Sequence, residues 1–299
     1  MAFEPRKSVA APDQSAAVAA MMLDLPAVIE SAQSLEPLPA SVGRLAQLVS
    51  DVDTDLREIV EVISFDQALT GNLLRRANSA ASAARNPIRT VHEAVVRLGT
   101  ATVLALAMSA SVAKRMNRSL PEYGMAEGEL WKHSVRAAIA AEAVRSAAKT
   151  PVPPEVATAA LLHDIGKLVL CRFLGPQILN LLNIAQDVDD LTPTEAEAVL
   201  LEVHHGELGG LVAQHWRLPD TIVRGITYHH RPDEVLEPIA FGVQLANFVA
   251  HVTAEQPLHE SDIEARDHAL AELGIPGDRW DKICVTSLSR FEELSSRYS

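Results

Sequence analysis

The stretch "LLHDIGKLVL", Leu161–Leu170, sets His163, Asp164 and Lys167 inside an otherwise apolar run. Burying a carboxylate costs free energy unless a cation or hydrogen bonds compensate it, so this segment requires a partner for Asp164. An α-helix turns about 100° per residue, so two adjacent side chains can both reach a centre lying between their directions. His163–Asp164 is one such pair and His229–His230 is another. Imidazole nitrogens with a carboxylate suit Zn, Fe, Mn or Ni better than Ca. Lys167, one turn after His163, is near enough to neutralise the carboxylate or to approach an anionic substrate. The plainer account is a buried Asp–His or Asp–Lys pair that fixes helix packing, and "HD" alone does not separate the two.

Outward from this stretch the pattern is helical, with almost no strand alternation. Leu56, Ile59, Val60 and Ile63 form one apolar stripe, and Val91, Ala94, Val95 and Leu98 repeat it. The second stripe has Thr90 as N-cap, Glu93 completing a capping box and Gly99 as a stop. "TPTE" at 192–195 is a further start signal, with Pro193 at the first helical position. The spacing predicts a disordered leader at 1–24, a helical subdomain of about five short helices at 25–115, and a helical bundle at 116–299, divided near "MNRSLPEYG". The bundle carries ten of the eleven histidines, which concentrates possible ligands in one half.

The chain has 299 residues, enough for one large domain or two modest ones. Its 48% hydrophobic and 22% charged residues are those of a soluble globular protein, and abundant alanine predicts close helix crossings. The net charge is −13 and the pI about 5.3, with no dense Lys/Arg stripe, which argues against binding nucleic acid. Two cysteines, Cys171 and Cys284, give no disulfide framework and fit a reducing cytoplasm. The N-terminus lacks the apolar core of a secretion signal. The longest uncharged apolar run, between Arg97 and Lys114, is shorter than the roughly 18–20 residues needed to cross a bilayer. A cytoplasmic protein with no membrane contact is the expectation.

"HDIGK" resembles the signature of the HD superfamily of metal-dependent phosphohydrolases. "LEPLPASVGRLAQLVSD", "SFDQALTGNLLRRANSA", "IRTVHEAVVRLGTATVLAL", "WKHS" and "HHGELGGLVAQHWRLPDTIVRGITYHHRP" are similar to the HDOD family, a degenerate branch of that superfamily. The likeness covers roughly residues 25–255; one departure is Gln67, where the family often has proline. The resemblance implies an all-α fold and a bacterial signalling role, often without demonstrated catalysis. The related HD-GYP branch hydrolyses cyclic di-GMP at a centre of two or three metals.

Carried over residue by residue, the resemblance implies metal ligation by His133, by His163 with Asp164 in the bridging position, by His205 and by His229 and His230. Lys167 matches a phosphate-contacting lysine, so Lys167 and Asp164 are the residues a catalytic reading would use. Asn247 stands where the superfamily has its last Asp, and Glu129 resembles an extra carboxylate of some three-metal members. Asn offers a carbonyl oxygen but no negative charge. Two divalent ions would carry +4 against the −1 of Asp164, so at most one tightly held metal is expected. Arg231 and Pro232 follow the paired histidines directly, where the cyclic di-GMP enzymes have their "GYP" segment. His204 reads as solvated, Asn247 as a hydrogen-bonding remnant, and His215 and Trp216 as core and turn residues.

The reading that follows is a signalling or regulatory protein without catalysis. It would bind a protein partner or a phosphorylated small molecule near a residual site for a divalent transition metal (Fe, Mn, Zn or Ni). Its input would come from a separate molecule. The alternatives are a metal-dependent phosphohydrolase or phosphodiesterase, and a helix-groove adaptor with no metal.

Overall fold

The structure is a computed structural model that describes residues 23–51, 53–79 and 87–296. The expected leader lies outside the described residues as far as residue 22. Leu23 is buried, and Asp24 caps the first helix by accepting from the N–H of Ala27 at 3.1 Å.

The first part of the chain forms α1 (Leu25–Gln33), α2 (Ala40–Ser50), α3 (Leu56–Phe65), α4 (Gln67–Ser79), α5 (Val91–Leu98) and α6 (Thr100–Met116). These are six helices among the described residues against the five expected. The last is not short, because 17 residues without Gly or Pro follow Gly99. Local signals act as read: Ile59 and Ile63 are buried on α3, and both bonds of the Thr90–Glu93 capping box form on α5. Gly99 at φ +80 turns the chain so that α5 and α6 meet at 107°. Among the described residues no single helix is long and apolar enough to cross a membrane; α5 and α6 reach that length only as this bent pair.

After a short 3₁₀ turn at Pro121–Tyr123 come α7 (Glu129–Ala147), α8 (Val156–Leu162), α9 (Lys167–Leu170), α10 (Pro176–Asp189), α11 (Pro193–Leu201) and α12 (His205–His215). Then follow α13 (Asp220–Thr227), α14 (Pro238–Val252), α15 (Glu260–Glu272) and α16 (Trp280–Ser295). Among the described residues there is no strand, only an isolated bridge between Leu120 and Met125, so the fold is all-α.

Helix α8 is buried at every position and is the hub: α6, α7, α13 and α14 all pack on it. Ala137, Ala140 and Ala141 on α7, Ala159 and Ala160 on α8 and Ala246 and Ala250 on α14 are all fully buried in this core, where the three helices pack on one another. Small side chains here allow the close crossings that abundant alanine implies. Helix α1 leaves the first group and packs on α9 and α12. The ends of α8 and α13, the starts of α7 and α12 and the middle of α14 thus converge.

Candidate metal centre

His163 and Asp164 lie in a turn between α8 and α9, not on a continuous α-helix. The backbone bonds there run from Ile165 N–H to the Leu162 carbonyl (2.9 Å) and from Lys167 N–H to the Asp164 carbonyl (3.0 Å), the spacing of a 3₁₀ turn. His229 and His230 likewise follow the end of α13 in a turn. Both pairs therefore sit where helices stop, and both are held against α12, whose first residue is His205. Gly166 makes the docking possible: a Cβ built there would lie 1.9 Å from the carbonyl oxygen of His205.

Asp164, 1% exposed, stands between two groups. On one side, Oδ2 is 3.4 Å from His163 Nε2 and 3.6 Å from His133 Nε2, and accepts a 2.8 Å bond from Lys167 Nζ. Asn247 turns its Oδ1 to 3.0 Å from the same His133 nitrogen. On the other side, Oδ1 is 3.2 Å from His205 Nε2, which lies 3.0 Å from His230 Nε2. The donor atoms of His133, His163 and Asp164 all lie within 4.8 Å of one another, as do those of His205, His229 and His230.

Hydrogen bonds fix which nitrogen carries the proton in three of the rings. A carbonyl can only accept, so His163 Nδ1–H donates to the Ala160 carbonyl and His229 Nδ1–H to the Ile226 carbonyl, both at 2.7 Å. His205 Nδ1 is 2.8 Å from Glu197 Oε2, the same relationship to a carboxylate. The three Nε2 lone pairs face inward, toward Asp164 or into the cluster. His229 Nε2 is buried with no hydrogen-bond partner among the described residues. Buried lone pairs turned on one another and on a carboxylate are unfavourable until a cation or a proton stands between them. Imidazoles held this way by their second nitrogen are the arrangement of metal ligands, so these residues fit a divalent transition metal.

The electrostatics agree for His133, His229, His230 and Asp164, while His205 differs. Burial, reinforced by neighbouring histidines, holds His133, His229 and His230 well below the usual imidazole value, so they are neutral and free to ligate. Burial would raise the Asp164 pKa, but His163 and Lys167 override it and keep the carboxylate ionised. His205 pays the same burial penalty, and Glu197 and Asp164 outweigh it, so its pKa rises.

All seven implied ligands, His133, His163, Asp164, His205, His229, His230 and Asn247, meet in this cluster. Lys167 is paired with Asp164 and only 13% exposed, not a solvated helix residue. Glu129 belongs to neither group: it is exposed and accepts from the N–H of Ala126 at 2.6 Å. His204 is 3% exposed, contrary to its expected solvation, because its Nδ1 caps α12 by accepting from Gly206 N–H at 3.1 Å. His215 is exposed, while Trp216 is buried and donates to the Glu36 carbonyl at 3.1 Å.

Sequence reasoning missed Glu197 and Tyr123. Glu197 on α11 is 2% exposed and accepts from both Nδ1 and the backbone N–H of His205, each at 2.8 Å. Its other oxygen accepts from the Tyr123 hydroxyl at 2.9 Å. Burial and the Glu197 charge raise the Tyr123 pKa, keeping the hydroxyl a donor. The available signal was a carboxylate on an apolar stripe, with buried Leu200 and Leu201 three and four residues on.

A sequence model of the HDOD domain matches residues 35–232. A protein of Treponema pallidum of uncharacterised function is 24% identical over 239 residues, 78% of this chain and 45% of that protein; the chain spans about half the length of this curated relative. A candidate phosphohydrolase of Shewanella amazonensis superposes with a TM-score of 0.65 at 24% identity, covering 90% of this chain and 98% of that one. A candidate signal transduction protein of Marinobacter aquaeolei gives 0.65 at 20% identity, covering 94% and 66%. These structural likenesses extend over the whole helical arrangement described above.

Proposed function

The chain belongs to the HDOD domain family, and from that premise we propose that it is a bacterial, cytoplasmic regulatory protein whose histidine–aspartate centre holds a divalent transition metal without turning over a substrate. The observation that carries this reading is enclosure. His163 and His229 are 0% exposed, Asp164 1%, His205 2% and His133 8%, and His230 is half-buried. A catalytic metal needs an open coordination position and a path for substrate. Here the one ammonium beside the carboxylate is spent on Asp164, and Tyr123 lies under it with its ring centre 5.6 Å from Lys167 Nζ.

In this reading His133, His163 and Asp164, with the Asn247 oxygen, hold one ion, and the three other histidines form a weaker second place. Asp164 is the only carboxylate among these ligands, which favours one tightly held ion over two. The output is the binding of a protein partner or a phosphorylated small molecule, with the packed helices as the responding element. The Marinobacter neighbour's description as a candidate signal transduction protein accords with this.

One observation favours a second reading, a phosphohydrolase: Asp164 offers an oxygen to each group, with Lys167 at 2.8 Å. A divalent ion bound there would lower the pKa of a bound water and polarise a phosphoryl oxygen. Lys167 would then exchange Asp164 for the substrate's anionic oxygen. Assays on phosphodiester and phosphomonoester substrates with added Mn or Fe separate the two. We expect a retained metal and no turnover; turnover abolished by His163→Ala overturns the regulatory reading.

A further inference from the structure

A second concave site lies beside the centre. The chain after α1 (Ser34–Glu36), the end of α6, the turn at Ser119–Glu122 and one face of α9 enclose a cavity of about 370 Å³. That volume is within the range of roughly 300–1,000 Å³ typical of small-molecule sites. Its floor is apolar and buried, made by Leu35, Leu120 and Leu168. Its walls carry three guanidiniums, Arg115, Arg118 and Arg172, against two carboxylates, Glu36 and Glu122, a local excess of positive charge in a chain of net charge −13.

These arginines are only partly used by the protein. Arg115 pairs through Nη2 with Glu36 at 3.1 Å and the Pro37 carbonyl at 3.3 Å, while its buried Nη1 has no hydrogen-bond partner. Arg172 donates to Ser31 Oγ at 3.3 Å. Among the described residues neither Arg172 nor Arg118 is paired with a carboxylate, and both are exposed. Planar guanidiniums with free donors match phosphate oxygens two at a time. The apolar floor suits a body that phosphate alone lacks.

We propose that this cavity binds a small organic phosphate, its phosphate on Arg118 and Arg172 beside the Arg115 guanidinium, and its apolar or ring body on Leu35, Leu120 and Leu168. The site rests on the regulatory reading for its purpose, but not on the metal. It is also placed to report. Leu168 and Cys171 belong to the helical turn that begins with Lys167, and Pro121 and Glu122 to the turn that carries Tyr123. An occupant therefore touches both segments that hold polar partners of Asp164 and Glu197.

The test is calorimetric titration of the full chain with AMP and, separately, with inorganic pyrophosphate, for the natural protein and for Arg118→Ala/Arg172→Ala, with metal content measured on each sample. We expect saturable AMP binding, weaker pyrophosphate binding, and a loss of at least about tenfold in AMP affinity in the double variant, with metal content unchanged. A single Arg118→Glu variant, altered only at an exposed side chain, should lose AMP binding in the same direction. No AMP binding at millimolar concentration, undiminished binding in the variants, or pyrophosphate binding as tightly as AMP would each overturn the assignment. A metal-free chain that still binds AMP through these arginines would keep the pocket and refute the metal reading alone.

Discussion

Gly166 and His205 touch backbone to backbone: a Cβ on residue 166 would stand 1.9 Å from the His205 carbonyl oxygen and 2.6 Å from the Gly209 nitrogen. This contact seats the start of α12 against the turn that presents Asp164, and so sets the 3.2 Å separation of His205 Nε2 and Asp164 Oδ1. Backbone atoms cannot swing aside as a flexible side chain can. Gly166→Ala should therefore destabilise the protein by about 3 kcal/mol or prevent folding. Denaturant unfolding checks it, and a change within about 0.5 kcal/mol would show that the two segments are not packed this way.

Glu197 anchors His205 from behind. Removing such a carboxylate from a ligating histidine typically costs 10–100-fold in metal affinity. Glu197→Ala should lose about that much in competition against a chelator, since Nδ1 and the backbone N–H of His205 and the Tyr123 hydroxyl all lose their acceptor. Tyr123→Phe removes one donor and should cost about 1 kcal/mol of stability with a smaller loss of metal. Equal metal affinity in Glu197→Ala would remove Glu197 from the account.

Asn247→Asp should act with opposite signs in the two states. A carboxylate beside His133 adds a charged ligand, so metal affinity should rise about tenfold or more. Without metal, a second buried carboxylate near Asp164 should lower stability by about 1–3 kcal/mol. Chelator competition and metal-free unfolding read the two effects separately. A variant stabilised without metal and no tighter with it would contradict the proposed place of Asn247.

The metal-free protein should lose stability as pH falls below about 6.5. Burial lowers His133, His229 and His230 well below the ordinary imidazole value, and lowers His204 to about 4. Between the folded and unfolded pKa values the unfolded chain binds a proton that the folded chain does not. Each such group then costs about 1.4 kcal/mol per pH unit as pH falls through that window. His205, raised, works the other way: its contribution is full below the unfolded value and lost above the folded one. Burial also lowers His251, and the hydrogen bond to Asp190 raises His259, so five lowered groups stand against two raised ones and the net slope is loss toward acid. Unfolding midpoints compared at neutral pH and near pH 5 check the sign, and an unchanged or rising midpoint in acid would contradict neutral buried imidazoles.

What was legible in the sequence was local. The Thr90–Glu93 capping box and the helix start at Thr192–Pro193 are short-range patterns, and both form as read; Glu195 completes a second box that was not read. The ligand set came from a resemblance, and His133, 30 residues before His163, meets it only because α7 packs on α8. Glu197 was missed because the apolar stripe it interrupts does not name its partner, His205, which the fold supplies. His204 was misjudged because a histidine stood where Ser or Thr usually caps, although Glu207 three residues on completes the same box. The turn at His163–Gly166 was read as helix because it continues the apolar run around it; Asp164 and Gly166 are poor helix formers, and α12 lies directly against Gly166 there.

The central claim is that the inward-facing nitrogens around Asp164 share a divalent ion. It is tested most directly by elemental analysis of the full chain purified without chelators or added metal, beside His163→Ala prepared identically. The account predicts about one transition-metal ion per chain in the natural protein and a large loss in the variant. A natural protein that carries none, and takes up none when offered Mn, Fe, Ni or Zn, would show that buried protons and hydrogen bonds alone hold these histidines together.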